Sequence, residues 1–158
     1  MVALGLNLRR ATAADAAAVA ALSREAYGKY VARIGMEPIP MAADYAVLIA
    51  QDIVWLLEDA PGQLDAALVL QQKPGHLLLW SIAVSPRRQK SGLGRSLMAF
   101  VEEQAVALGY REVRLYTNQL MVENRRFYEA LGYQQTGMET IEGRHAVHYA
   151  KRLSLPAT

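Results

Sequence analysis

The stretch from His76 to Leu108 constrains the fold more than any other part of the chain. His76 to Val84 is a continuous apolar run, which predicts a central β-strand buried on both faces, and Pro86 ends it. Next comes Arg87-Arg88-Gln89-Lys90-Ser91-Gly92-Leu93-Gly94-Arg95-Ser96, which leads into a helix predicted over Gly92 to Leu108. On that helix Leu93, Leu97, Phe100, Val101 and Ala105 share one face, and Gly109 stops it. A helix N-terminus exposes unpaired N–H groups and carries partial positive charge. Glycines there let a phosphate approach the main chain, because no Cβ obstructs it. With Arg87, Arg88, Lys90 and Arg95 around the opening, the loop has the makings of a pyrophosphate site. The residues alone leave a second reading open, in which the glycines serve helix entry and the basic side chains are solvated. Other phosphate motifs fit less well. Gly94 is followed by Arg95-Ser96, where a Walker loop needs Lys-Ser/Thr, and Leu97 stands where a dinucleotide fingerprint wants glycine or alanine.

The rest of the chain supplies strands and helices in a fixed order. Leu4 to Arg10 predicts a first strand. Thr12, with Asp15 as capping-box partner, opens an alanine-rich helix to about Tyr30. Gly35, Pro38 and Pro40 mark a loop, and Met41 to Gln51 predicts a shorter helix. Strands follow at Ile53–Glu58 and Leu64–Gln71, joined through Pro61-Gly62. Beyond the long helix come a strand at Glu112–Thr117 and a short helix at Met121–Leu131. A last strand pair, Tyr133–Glu142 and His145–Leu153, turns around Glu142-Gly143-Arg144. The order β-α-α-β-β-β-α-β-α-β-β predicts an α/β (α+β) fold with a mixed sheet of about seven strands and helices on both faces.

Length and composition exclude several function classes. The 158 residues suit one domain, 1–158, and 53% hydrophobic with 20% charged residues can fill a core. A formal charge of +2 is too small an excess to predict nucleic-acid binding. With no cysteine, disulfides, thiolate nucleophiles and cysteine metal sites are excluded. His145 and His148 lie three apart, so a strand points them to opposite faces, and His76 stands alone; no metal site is expected. No apolar run is long enough to span a membrane and no secretory signal opens the chain, which therefore reads as cytoplasmic.

Two segments in sequence resemble the GNAT (Gcn5-related N-acetyltransferase) family. Gln89-Lys90-Ser91-Gly92-Leu93-Gly94 fills the family pattern Gln/Arg-x-x-Gly-x-Gly/Ala, and Ser81-Ile82-Ala83-Val84-Ser85-Pro86 before it resembles the family's fourth strand. Downstream, Thr117 to Tyr133 resembles the second cofactor segment, with its Phe127-Tyr128-Glu129-Ala130-Leu131-Gly132-Tyr133 ending. The resemblance implies the acyl-CoA N-acyltransferase fold, in which the fourth and fifth strands splay and admit the pantetheine arm of acetyl-CoA. It implies that the main chain of Ile82, Ala83 and Val84 pairs with that arm, by the logic of strand addition. The N–H groups from Gln89 through Lys90, Ser91, Gly92, Leu93 and Gly94 would hold the pyrophosphate, with Arg95 and Ser96 beside them. Many relatives carry an Asn seven residues before the tyrosine; here that position is Met121, so Asn118 and Asn124 are the amides available to the arm.

The resemblance further implies transfer of an acetyl group from acetyl-CoA to a small-molecule or peptide amine, with Tyr128 as general acid to the leaving thiolate. A non-catalytic acyl-CoA-binding module on the same fold is the alternative. No carboxylate lies between Leu77 and Val84, so no catalytic base is assigned. Water relayed by Ser81 or by main-chain carbonyls could take the proton, or one of Glu25, Glu37 and Asp44, although each of these reads first as a solvated surface charge. In the family the segment between the first two strands shapes the acceptor pocket, which puts Tyr27, Tyr30, Ile34, Met41 and Asp44 forward as acceptor-binding residues. The apolar loop Arg33–Met41, with two prolines, suggests a lid or pocket wall, or equally side chains that plug the sheet's open end. Neither a nucleic-acid nor a membrane partner is implied. A homodimer is common in the family, though no residue here demands one.

Overall fold

The computed structural model describes residues 6–154. Seven strands form one sheet in the order β1-β2-β3-β4-β5-β7-β6: β1 Leu8–Arg10, β2 Ile53–Ala60, β3 Gln63–Lys73, β4 His76–Val84, β5 Glu112–Asn118, β6 Gln134–Ile141 and β7 Arg144–Arg152. Every neighbouring pair is antiparallel except β4 and β5, which run parallel and are joined by the crossover helix α4, Leu93–Ala107. The predicted first strand is observed from Leu8; Leu4 and Gly5 lie outside the described residues.

The two sheet faces bury different helices, as the period-2 alternation of β3 requires. Ala66, Leu68 and Leu70 meet Leu93, Leu97, Met98 and Val101 of α4. Ala67 and Val69 meet Val19, Leu22 and Ala26 of α1, Ala16–Tyr27, and Tyr45 of α3, Tyr45–Gln51. Leu68, Leu70 and Leu97 are fully buried, each worth about 1.5–3 kcal/mol of transfer free energy.

The helical region between β1 and β2 is more broken than its alanine content predicts. A 3₁₀ turn at Ala13–Asp15 precedes α1, and another at Gly28–Tyr30 leads into α2, Val31–Ile34, which Gly35 closes at φ 85°. The second predicted helix begins at Tyr45 rather than Met41. Ile39–Ala42 forms a 3₁₀ turn behind Pro38, Ala43 is extended, and Asp44 caps α3 by accepting the Val47 N–H at 3.3 Å.

At the N-terminal end, Arg9 donates to both Asp15 carboxylate oxygens at 2.9 Å and to Glu58 at 2.8 Å, tying β1 to the first turn and to β2. The Arg9 hydrogen bonds, and after them the Thr12 N–H, hold the Asp15 carboxyl well below the usual aspartate range. A depressed carboxylate stabilises the fold above its unfolded pKa of about 3.9, and that contribution is lost as pH falls further. Arg9→Gln is therefore expected to lower Tm at pH 7 and to narrow the gap to the parent protein below about pH 4, read by thermal melts across pH. A gap that stays constant into acid contradicts the role given to this pair.

Candidate active site

The apolar run of β4 hides a change of phase. Val69 pairs with Ser81 but Leu70 pairs with Leu79, so one step on β3 spans two on β4 and Trp80 is the extra residue of a β-bulge. Before the bulge, Leu77 and Leu79 face the α4 side. Beyond it Ile82 and Val84 take that side, while Ala83 joins the α1 side. The expectation of a strand buried on both faces is thus corrected: Leu78, Trp80, Ile82 and Val84 are only half-buried.

The same bulge ends the pairing of β4 with β5. The two strands are in register at only three positions, Leu77 with Val113, Leu78 with Arg114 and Leu79 with Leu115, and then part. Ser85 donates its N–H to the Asp65 carbonyl of β3 at 2.9 Å. By antiparallel alternation Ser85 and Ala83 direct their main chain at β3, so Ile82 and Val84 present theirs to the gap. Side chains occupy the two carbonyls there. The Tyr27 hydroxyl donates to Ile82 at 2.9 Å and the Gln89 amide to Val84 at 2.9 Å.

At one end of the gap a groove of about 470 Å³ is lined by Tyr27, Tyr30, Ile82, Val84, Gln89, Lys90, Gly92, Gly94, Arg95, Asn124 and Tyr128. These are predicted residues from both motif segments and from α1, brought together. The loop behind the groove has Lys90 at φ 62° and Gly92 at φ 85°. Gly92, left-handed, steps directly into the right-handed Leu93 that opens α4, and such a step turns successive N–H groups to one side, as in an anion-binding concavity. The two glycines do different things. A Cβ on Gly92 would meet nothing within 4 Å, so glycine is there for its φ and leaves open space, whereas a Cβ on Gly94 would lie 3.3 Å from Phe127 Cζ.

The basic residues divide in two. Arg87 and Arg88 turn back to the buried Asp65, with Arg88 at 2.7 Å from it and 2.5 Å from Asp59. They anchor the loop to β2 and β3, and Arg88, though paired with both aspartates, still lines the groove. Lys90 and Arg95 are exposed. Three other predicted cofactor residues have side chains or groups engaged elsewhere: Leu93 is in the core, the Ser91 hydroxyl donates to the Arg88 carbonyl, and the Ser96 N–H donates to Gly92 within the helix at 3.3 Å.

Helix α5, Val122–Ala130, carries Tyr128 into the gap. Its end explains the Leu131-Gly132-Tyr133 ending. Gly132, at φ 96°, donates to the Glu129 carbonyl at 3.1 Å and Tyr133 to the Tyr128 carbonyl at 3.0 Å. That is a Schellman closure, with its hydrophobic contact made by the Tyr128 and Tyr133 rings, whose centroids lie 6.0 Å apart. Tyr128 is therefore fixed from behind. Its hydroxyl has no hydrogen-bond partner among the described residues, and burial, followed by Tyr27 and Tyr30, pushes its pKa well above the usual tyrosine value.

Through the gap lies a second, smaller cavity of about 80 Å³. Tyr27, Ile82, Asn124 and Tyr128 line both spaces, so the gap joins them. Pro38, Ile39 and Pro40 form one wall, in keeping with the expected lid or pocket wall, and Trp80 and Tyr116 stand where the strands part. Ile141, Arg144 and His145 reach in from the β6–β7 hairpin, which nothing in the sequence pointed to, because their approach is purely tertiary. Asn118 lines this cavity but not the groove, and its side-chain oxygen is engaged by the Leu120 N–H at 2.9 Å. Three expected acceptor residues line neither space: Ile34, Met41 and Asp44, the last being the cap of α3.

Residues 50–135, more than half of the chain, match the model of the acetyltransferase (GNAT) domain. The chain belongs to the GNAT acetyltransferase family. It is accordingly an acyltransferase, and acetyl-CoA is the cosubstrate that GNAT enzymes use. No curated protein matches the chain. Solved structures share the GNAT fold at low identity. A GCN5-related N-acetyltransferase from Rhodopseudomonas palustris is 20% identical, with TM-score 0.76 over 97% of this chain and 99% of that one. The ribosomal-protein-S18-alanine N-acetyltransferase of Escherichia coli is 18% identical, with TM-score 0.70 over 96% of each chain. The yncA protein of Salmonella typhimurium, solved with its cofactor acetyl-CoA, is 18% identical, with TM-score 0.69 over 98% of this chain and 97% of that one. Among the described residues no helix is long and apolar enough to cross a membrane.

Proposed function

We propose that the chain is one N-acetyltransferase domain, acting in the cytoplasm, that moves an acetyl group from acetyl-CoA to a primary amine by direct attack. The observation that carries this reading is the parting of β4 from β5 after Leu79, which leaves a passage between a cradle of N–H groups and a second cavity. The residues fit the cosubstrate. Ile82 and Val84 offer main-chain groups to an extended ligand, as the edge of a sheet does to an added strand. Residues 89–94 offer a turn open to a diphosphate, and Asn124, which lines both the groove and the smaller cavity, is the amide we assign to the pantetheine arm.

Acetyl-CoA supplies the thioester; the protein positions and polarises. The amine enters from the smaller cavity and attacks the thioester carbon. The main-chain N–H of Ile82 or Val84 stabilises the oxyanion that forms. Tyr128, kept neutral by burial, donates its proton to the departing thiolate. Among the described residues no carboxylate lines the smaller cavity. The amine's proton therefore goes to water held near Ser81 and Tyr27.

A pH dependence follows. With no carboxylate base, kcat/KM is expected to rise with pH toward the acceptor amine's own pKa, about 10.4 for a lysine-like amine. Tyr128 imposes no fall over that range, since its raised pKa keeps the acid protonated. Initial rates by free-thiol release from pH 6 to 10 check this, and a bell with a descending limb near pH 8 contradicts it. Thiol release in the presence of an amine, above hydrolysis without one, separates an enzyme from a non-catalytic binding module.

A further inference from the structure

Resting on the transferase reading, the smaller cavity also indicates what kind of amine it takes. Much of its wall is apolar or aromatic, with Pro38, Ile39, Trp80 and Ile141, and neutral polar side chains such as Ser81 and Asn118 lie between them. A second ammonium group on the acceptor would find no lining carboxylate to pair with, and an unpaired charge moved out of water is costly. The nearby acids are spent or outside. Glu139 holds His148 at 2.6 Å, and Glu37 and Glu142 are exposed and do not line the cavity.

Arg144 is the charged group that does line it, and no ion pair to it occurs among the described residues. Its guanidinium is held by neutral carbonyls alone. Nε and Nη2 donate to the Glu37 carbonyl at 2.9 and 2.6 Å, and Nη1 donates to the Glu142 carbonyl at 2.9 Å. These bonds join the proline loop to the β6–β7 turn and fix the planar fork in place. Of the five N–H donors of an arginine, two are left over. A fixed, uncompensated guanidinium beside an apolar cavity is a receptor for an anionic oxygen pair.

We infer that the acceptor is an amine bearing a carboxylate on an apolar or aromatic body, an amino-acid-like molecule rather than a polyamine or aminoglycoside, and that Arg144 anchors its carboxylate. Arg144 is here a specificity residue and takes no part in the chemical step.

The test compares matched amines with acetyl-CoA: L-phenylalanine, phenethylamine, which is the same molecule without its carboxylate, and spermidine. The parent protein is expected to favour phenylalanine over phenethylamine by about 10- to 100-fold in kcat/KM, the worth of a charge-assisted pair. Arg144→Gln is expected to erase that ratio by raising KM for phenylalanine far more than KM for phenethylamine, with the acetyl-CoA Kd unchanged. Arg144→Lys, which keeps the charge but loses the fork, is expected to fall between. Preferential acetylation of spermidine or phenethylamine, or an unchanged ratio in Arg144→Gln with an unchanged acetyl-CoA Kd, overturns the acceptor class and leaves the transferase reading standing. Acetyl-CoA binding with no transfer to any of the amines overturns both.

Discussion

Tyr128→Phe is expected to lower kcat by about 10²- to 10⁴-fold, the usual worth of a positioned general acid, and to leave the acetyl-CoA Kd unchanged. The substitution removes one oxygen and keeps the ring that packs against Phe127 and Tyr133. Because the hydroxyl has no hydrogen-bond partner among the described residues, its loss breaks no structural bond. Stability is thus expected to change little, and a fall in rate reports chemistry rather than unfolding. Stopped assays at saturating acetyl-CoA give kcat, and titration gives Kd. If kcat is unaffected, Tyr128 is only a packing residue of α5 and water protonates the thiolate.

Gly92→Asp carries the second large effect. A carboxylate about 6 Å from a phosphate charge, at an effective dielectric near 20, costs about 3 kcal/mol, which is on the order of 100-fold in Kd. The new side chain enters open space, and aspartate tolerates the left-handed conformation better than most residues, so the protein is expected to fold. Gly92→Asn supplies the matching control, with nearly the same shape and no charge. Calorimetric titration with CoA is expected to show the large loss in Asp and a much smaller one in Asn. Equal losses in both variants contradict an anion site at this turn.

What the sequence made legible was mostly local. The limits of β4 were read as they occur, because Gly75 and Pro86 punctuate an unbroken apolar run. The long helix was displaced by only a residue at each end, since Gly92 and Gly109 both sit at positive φ. The element order survived, although the first helical region proved segmented. There, alanine propensity competed with Gly28, Gly35 and two prolines, and Asp44 acted as a cap rather than facing the cavity. The bulge at Trp80 was not legible. In Leu77-Leu78-Leu79-Trp80 every residue is apolar, so a slip of phase leaves no mark in the pattern.

The site divided along the same line. Glycines and the Phe127-Tyr128 pair follow from backbone geometry and helix closure, which are encoded within a few residues. The capture of Arg87 and Arg88 by Asp59 and Asp65 was hidden, because it depends on a hairpin more than twenty residues upstream. Arg144 and His145 were hidden for the same reason. Sheet order places β7 next to β5 and swings the final turn over the cavity, and no local pattern announces a contact of that range.

A crystal structure of the protein with CoA shows whether the ligand enters the gap between β4 and β5. The diphosphate is expected on the main-chain N–H groups of residues 89–94 and the pantetheine amides on Ile82 and Val84. The Gln89 and Tyr27 side chains should then have left the two carbonyls they hold in the free protein. CoA seated elsewhere, with both carbonyls still capped by those side chains, would contradict it.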